Sequence, residues 1–137
     1  DTLFSSVLSA RTPRELKDFF RVPASAFWDT HYNFLRPSPH RKKQLGENAL
    51  NMLLINTVVP LMFAYGLYHR MDEHKARALR LLASIPPEQN SIISLFSQVG
   101  MKPRNAGDTQ ALIQLKRNYC EQKKCLYCRL GFQLLKP

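Results

Sequence analysis

One segment constrains the fold of this chain more than any other, because residues 49–68 contain no charged side chain over twenty consecutive positions. A stretch of that length satisfies the requirement for a membrane-spanning helix. Asn51, Asn56 and Pro60 argue against a span, since amides and a helix-breaking proline would lack partners in hydrocarbon. We therefore predict a buried central helix, kinked near Pro60, and no contact with a membrane. Its core residues are expected to be Met52, Leu53, Leu54, Ile55, Val58, Leu61, Met62 and Phe63.

Helix signals recur on both sides of this segment. Residues 12–15 read TPRE, a capping box with proline at the first helical position. Further helices are predicted over residues 72–84, 91–99 and 108–120. Asn90 and Asp108 are the expected N-caps, and Gly100 is the expected stop of the helix that Asn90 begins. No segment shows strand alternation, so we predict an all-α fold: a compact multi-helix bundle or orthogonal array with an irregular N-terminal segment and a cysteine-rich C-terminal turn.

Apolar spacing assigns a core-facing side to these helices. In residues 72–84 that side is expected to be Ala76, Leu79, Leu82 and Ala83, with Lys75, Arg77 and Arg80 pointing elsewhere. In residues 91–99 it is expected to be Ile92, Ile93, Leu95, Phe96 and Val99. Aromatic residues before the central helix are expected to fill the core as well, namely Trp28, Tyr32 and Phe34.

A length of 137 residues favours a single domain over 1–137. We divide it into an irregular or short-helix part (1–43), a helical core (44–119) and a cysteine clip with its tail (120–137). The chain opens at Asp1 without Met or a signal-peptide pattern, so we expect the C-terminal fragment of a longer cytoplasmic protein, with the missing N-terminal part as a partner. Oligomeric state stays open. No phosphate-binding glycine loop, metalloprotease histidine pair or serine elbow is present, so no enzyme activity is expected of this part alone.

The charge of the chain points to polyanions. Twenty Lys and Arg face ten Asp and Glu, and residues 104–137 hold seven of these cations but only two of the anions. Such a surface binds phosphates through counterion release, although a solvated basic face is the alternative. Tyr119 and Tyr127 would add stacking on a single strand. The candidate nucleic-acid-binding residues are Arg41, Lys42, Lys43, Lys116, Arg117, Lys123, Lys124 and Arg129.

All three cysteines fall within nine residues. Cys120, Cys125 and Cys128 have C-x4-C-x2-C spacing, with Gly131 expected to let the chain leave the turn at positive φ. Thiolates at this spacing favour zinc or an iron–sulfur cluster. Both need a fourth ligand, either from the absent part of the protein or from His31, His40, His69 or His74. The alternative is a cluster of bare thiols in a reducing compartment.

Asp29 and His31 stand two residues apart among the aromatic side chains. An Asp–His pair serves proton transfer or metal ligation, and the missing part of the protein would share a cleft with it. The alternative is that these short polar residues only turn the chain.

Several strings along the chain together resemble the C-terminal part of DUF2851, a Bacteroidetes family of unknown function. They are FWDTHYNF at 27–34, LG at 45–46, INTVVPL at 55–61, FAY at 63–65, P-E-x-N at 87–90, QALIQL at 110–115, YC at 119–120 and C-L-x-C-R-x-G at 125–131. The resemblance runs from about residue 27 onward. It implies a bacterial, cytoplasmic protein longer than this chain, and it supplies no activity and no catalytic residue.

These observations leave three hypotheses for function. The first, which charge favours, is a nucleic-acid-binding module with a cysteine-held metal clip. The second is an accessory C-terminal domain of a larger enzyme whose active site lies mainly in the missing part, and a large exposed apolar patch would favour it. The third is a purely structural or protein-interaction helical domain.

Overall fold

The computed structural model describes residues 2–135, apart from the side chain of residue 134. The chain is all-α, as predicted, and residues 2–135 contain no β-strand. The helices are α1 (Leu3–Ser9), α2 (Pro13–Phe20), α3 (Ala26–Asp29), α4 (Glu47–Tyr68), α5 (Asp72–Ser84), α6 (Ser91–Gln98), α7 (Ala106–Leu115) and α8 (Arg129–Leu135). A π-helical turn (Lys116–Cys120) continues α7, and a 3₁₀ turn (Cys125–Tyr127) precedes α8.

Contacts between residues divide the chain into two compact units, Asp1–Leu81 and Leu82–Pro137. The boundary falls inside α5. The single-domain organisation of residues 1–137 stays a prediction.

The first unit is built on α4, which contains the charge-free segment 49–68 that the sequence predicts to be helical. It runs through α-helical Glu47–Leu53, a π-helical turn (Leu54–Val58) and α-helical Val59–Tyr68. The wider turn ends at Val58, two residues before Pro60, a residue that cannot donate a backbone hydrogen bond. Leu54 and Met62 are completely buried, but the predicted burial of Met52, Leu61 and Phe63 is wrong, because all three are exposed.

Gly66 brings α4 close to α5. A Cβ at this position would lie 2.9 Å from the main-chain oxygen of Met71, the main-chain nitrogen of Lys75 and the Cβ of His74. The link between the helices is correspondingly tight: Met71 N donates to Gly66 O (2.8 Å), and Arg70 adopts a positive φ of 57°. The packing of α4 against α5 therefore requires a residue without a side chain at position 66.

The orientation of α5 differs from the predicted one. Ala78 and Leu81 are its buried residues in this unit, whereas Ala76 and Leu79 of the predicted core side are exposed. Arg77, predicted to point elsewhere, is half-buried and donates through Nη1 to the main-chain oxygen of Leu8. Burial lowers its pKa. Contacts with neighbouring elements decide which side of α5 faces inward.

The beginning of α2 confirms the capping box. Thr12 Oγ1 accepts from Glu15 N (3.2 Å), and Glu15 Oε2 accepts from Arg11 N (2.9 Å), one residue earlier than the standard pattern. Pro13 occupies the first helical position. Lys17, in the last turn of α2, and Arg21, directly after the helix, both pair with Glu47, the first residue of α4. These ion pairs link the end of α2 to the start of α4.

In the second unit, Asn90 caps α6 as predicted, since its Oδ1 accepts from Ile93 N (3.0 Å). Gly100 follows the helix with φ +85°, which confirms the predicted stop. Of the expected core stripe of α6, Leu95 and Val99 are exposed.

The cap of α7 differs from the prediction. Asn105, not Asp108, is the N-cap, because its Oδ1 accepts from Asp108 N (3.0 Å). Asp108 lies in the first turn of the helix and accepts from Arg104 N (2.9 Å). The helix therefore starts about two residues before the predicted position.

Candidate functional site

Residues 24–43, here called the aromatic loop, form a closed surface loop of the first unit. Ala24 N donates to Lys43 O (2.8 Å) at its base, and Arg41 N donates to Asp29 O (2.7 Å) further along. Lys43 Nζ donates to the carbonyl oxygens of Trp28 and of His31 (2.6 Å for the latter). The same ammonium lies 3.7 Å from the centroid of the Tyr32 ring. Lys43 is thus an internal support of the loop.

Exposed apolar side chains cover this loop. Phe34 and Leu35 are 78% and 90% exposed, and Tyr32 is exposed as well. The predicted core positions of Tyr32 and Phe34 are therefore wrong. Phe34 packs on the Phe27 and Trp28 rings at centroid distances of 5.9 and 5.1 Å, so the rings contact one another on the surface. Aromatic density beside a basic run is the sequence signal that marks this surface.

Asp29 and His31 are neighbours in this loop but do not pair with each other. The Asp29 carboxylate lies 3.8 Å from His40 Nε2. His31 Nδ1 lies 3.0 Å from both Thr30 Oγ1 and Phe27 O, and its ring stacks on Phe27 at 4.2 Å. Both residues make contacts that shape the loop, and their shared-cleft role stays a prediction.

The predicted nucleic-acid-binding residues fall into two groups, one in each unit. In the first unit Arg41 and Lys42 are exposed, whereas Lys43 has the internal partners described above. In the second unit Lys116 is half-buried and pairs with Glu121 (3.0 Å). The exposed members of that second group are Arg117, Lys123, Lys124 and Arg129.

The outer face of α4 is a second exposed surface of the first unit. It comprises Pro60, Leu61, Phe63, Ala64, Leu67 and Tyr68, all exposed. At 100° per residue these positions share one side of the helix, while buried Val59, Met62 and Gly66 lie on the other. By length and composition α4 is the one helix among the described residues that is able to cross a membrane. The outer face carries no charge and no contact from the rest of its unit buries it.

The cysteine segment, residues 120–131, is a compact turn of the second unit. Lys123 N donates to Cys120 O (3.1 Å) and Cys128 N to Cys125 O (3.2 Å). Cys120 and Cys125 are exposed, Cys128 is buried, and all three are free thiols. Gly131 is helical and does not leave the turn at positive φ, contrary to expectation. Its role is close packing, because a Cβ there would overlap the main chain of Cys125.

The described residues contain no group of three or more His, Cys, Asp or Glu side chains placed to hold a metal ion. The three sulfurs therefore do not form the converging ligand set that the spacing predicts. Hydrogen bonds and the close packing of Gly131 on Cys125 hold the turn in its conformation. Binding of zinc or an iron–sulfur cluster stays a prediction.

These features define an all-α, basic protein with two exposed apolar surfaces in its first unit, the aromatic loop and the outer face of α4. Residues 1–91 match the model of DUF2851, a family described as a protein of unknown function, and the chain belongs to this family. The predicted family is thereby confirmed, and the matched part contains both the aromatic loop and α4. The strings quoted from residue 110 onward lie outside it. No curated protein and no solved structure matches the chain.

Proposed function

We propose that this DUF2851 chain is a protein-docking domain that binds a partner through the outer face of α4. One observation carries the proposal: six exposed residues without charge lie on the same side of one helix, and apolar surface gains about 25 cal/mol per Å² when it is buried. A contiguous apolar patch of this kind marks interaction sites in proteins. An exposed apolar patch is also the feature that favours the accessory-domain hypothesis.

The inner face of α4 favours a protein partner over a lipid bilayer. Leu50, Leu54, Val58 and Met62 are buried along almost the whole helix, so α4 cannot leave the unit to span a membrane without unpacking its core. Polar Asn56 lies exposed at mid-helix. Placing it in hydrocarbon would be costly, whereas a protein partner readily supplies polar contacts at the rim of an interface.

The charge of the first unit defines the chemistry of the partner. Residues 1–81 contain twelve Lys and Arg but seven Asp and Glu. A second copy of the chain would bring like charges together, which disfavours a homodimer. The partner that fits is a protein surface with an apolar centre and an acidic rim, either in another protein or in another domain of the same one.

A peptide-binding experiment tests this chemistry on the full chain. The probe is a labelled amphipathic helical peptide with Leu at i, i+3, i+4 and i+7 and Glu at its flanks, paired with a version in which Lys replaces Glu. Fluorescence anisotropy should detect the Glu peptide only. Leu67→Ser should weaken its binding about tenfold, or ~1.4 kcal/mol. Leu35→Ser, at a more exposed leucine of the aromatic loop, is the matched control and should leave binding unchanged.

Other occupants of the outer face have their own signatures. A concentration-dependent dimer in light scattering, abolished by Leu67→Ser, would assign this face to a second copy. Flotation with neutral phosphatidylcholine vesicles would assign it to a membrane. Either result, or equal binding of the Glu and Lys peptides, refutes the proposed partner chemistry.

The aromatic loop supports nucleic-acid binding as a second candidate function. Exposed Tyr32 and Phe34 lie in the same loop as the exposed cations Arg36, Arg41 and Lys42. Rings beside cations are what sequence-tolerant binding of single strands requires, through stacking and phosphate contacts. The nucleic-acid hypothesis is thereby restricted to the aromatic loop, which lies within residues 1–91 that match the family.

Anisotropy with labelled oligo-dT tests this second function. Affinity should fall steeply between 50 and 200 mM salt, by about tenfold or more if two or three phosphates are contacted. The double change Arg41→Gln and Lys42→Gln should reduce both the affinity and the salt slope. Arg80→Gln, an exposed cation of the same unit outside the loop, is the control. Salt-independent binding would exclude the phosphate-based mode.

A further inference from the structure

The cysteine segment contains a dithiol pair that none of the functions above uses. Cys125 and Cys128 are the first and fourth residues of one turn, which the hydrogen bond from Cys128 N to Cys125 O closes at 3.2 Å. The Cα atoms at the ends of such a turn lie within about 7 Å. A disulfide needs roughly 4.4–6.8 Å between them, so this turn brings the two thiols into bonding range without moving the chain far.

The two thiols differ in their exposure to solvent, as the two steps of thiol–disulfide exchange require. Cys125 is exposed and follows two exposed lysines, Lys123 and Lys124, whereas Cys128 is buried. An accessible thiol in an electropositive setting is the one that attacks an external disulfide. A shielded neighbour is then placed to resolve the resulting mixed disulfide.

Contacts on both sides hold this turn in place. Lys124 N donates to Tyr119 O (2.9 Å) before it, and Phe132 N donates to Cys128 O (2.7 Å) after it. Gly131 lies against the main chain of Cys125, where any side chain would overlap the carbonyl group. The pair is therefore preorganised by packing, and the chain needs no metal to bring Cys125 and Cys128 together.

We propose that Cys125 and Cys128 form a reversible redox pair that reduces low-molecular-weight disulfides, RSSR. The Cys125 thiolate attacks one sulfur of RSSR, which breaks the S–S bond, forms a Cys125–SR mixed disulfide and releases RS⁻. The Cys128 thiolate then attacks the Cys125 sulfur and expels the second RS⁻. The protein loses two electrons and two protons, and RSSR becomes two RSH. This activity is independent of the docking and nucleic-acid functions proposed above.

Oxidised glutathione is the probe, and trypsin makes the assignment direct. Cleavage after Arg117, Lys123, Lys124 and Arg129 places Cys125 and Cys128 in one peptide, CLYCR, and Cys120 in another, NYCEQK. After exposure of the full chain to the oxidant and alkylation of remaining thiols, CLYCR should lack both alkyl groups and two hydrogens. NYCEQK should be alkylated.

Variants separate the steps of this reaction. Cys128→Ser should stop it at the mixed disulfide, so that CLYSR carries one glutathione. Cys120→Ser is the matched control and should leave the oxidation of CLYCR unchanged. Gly131→Ala should shift the product from the internal disulfide toward the mixed disulfide, because it displaces the Cys125 main chain.

Three results would overturn the assignment. The first is a crosslink between CLYCR and NYCEQK as the main product. The second is full alkylation of all three cysteines after oxidant at a cytosol-like glutathione ratio. The third is zinc that copurifies with the chain at one equivalent and blocks alkylation, which would support the hypothesis of a cysteine-held metal site instead.

Discussion

Gly66→Ala has two opposite effects on stability, a gain in helix propensity and a loss from overpacking, and the structure predicts that the loss is larger. Alanine in a helix interior is favoured over glycine by about 1 kcal/mol, so propensity alone predicts stabilisation. At Gly66, however, a Cβ would lie 2.9 Å from three atoms, two of them main-chain atoms of Met71 and Lys75. Main chain cannot rotate away, and forced overpacking of this kind costs about 1–3 kcal/mol. The expected net result is a loss of about 1 kcal/mol.

Thermal unfolding followed by far-UV circular dichroism measures this loss. For a unit of this size, 1 kcal/mol corresponds to a fall in Tm of roughly 4–8 °C. Ala64→Gly, at an exposed position of the same helix, gives the propensity contribution by itself and should cost about 1 kcal/mol. If Gly66→Ala raised Tm as much as Ala64→Gly lowers it, the close approach of α4 and α5 would be refuted.

Three further predictions concern local supports of the fold. Lys43→Met should release the aromatic loop, because it removes an ammonium that donates to two carbonyl oxygens; a shift in Trp28 fluorescence and faster amide exchange over residues 24–43 would show this. A hydrogen bond from Lys17 holds the pKa of Glu47 below its ordinary value of 4.5. The stability this gives is complete above pH 4.5 and is lost as pH falls through the lower folded-state pKa. In urea unfolding, Glu47→Gln should therefore reduce the fall in unfolding free energy below pH 4.5. Gly100→Ala should cost about 1–2 kcal/mol in chemical unfolding, from backbone strain alone, because φ is +85° and no atom lies within 4 Å of the new Cβ.

Local chemistry made the helices predictable from the sequence. The capping box at residues 12–15, the Asn90 cap and the Gly100 stop each act within four residues, and each appears where the sequence places it. The Asp108 cap failed for an equally local reason. Asn105 lies three residues earlier and makes the same kind of bond, and Asp108 then occupies the acidic first-turn position. Short-range signals fix an element but can leave its start two or three residues uncertain.

The candidate surfaces were less predictable, because exposure depends on contacts between distant segments. Tyr32 and Phe34 are large and aromatic, which favours burial on average, yet their loop lies outside the core. Lys43 reads as one of three cations in a basic run until the structure shows its two carbonyl partners, fifteen and twelve residues away. The cysteine spacing likewise predicted a metal-binding turn, but it did not indicate the backbone hydrogen bonds and the Gly131 contact that shape this turn. Composition indicated that the aromatic loop and the cysteine segment are unusual parts of the chain. Which of their side chains are exposed and which support the local structure depends on tertiary contacts.

The direction in which α4 faces is nevertheless encoded in its sequence, by a glycine rather than by apolar spacing. A helix that is apolar on every side offers no amphipathic pattern to orient it. A glycine inside such a helix costs about 1 kcal/mol in propensity, so its presence indicates a close approach of another chain segment. Gly66 therefore marks the inner side. At 100° per residue, Leu61, Ala64 and Tyr68 lie 140–160° away from it, and all three are exposed. The same feature that fixes α4 against α5 thus determines which apolar residues remain for a partner to bury.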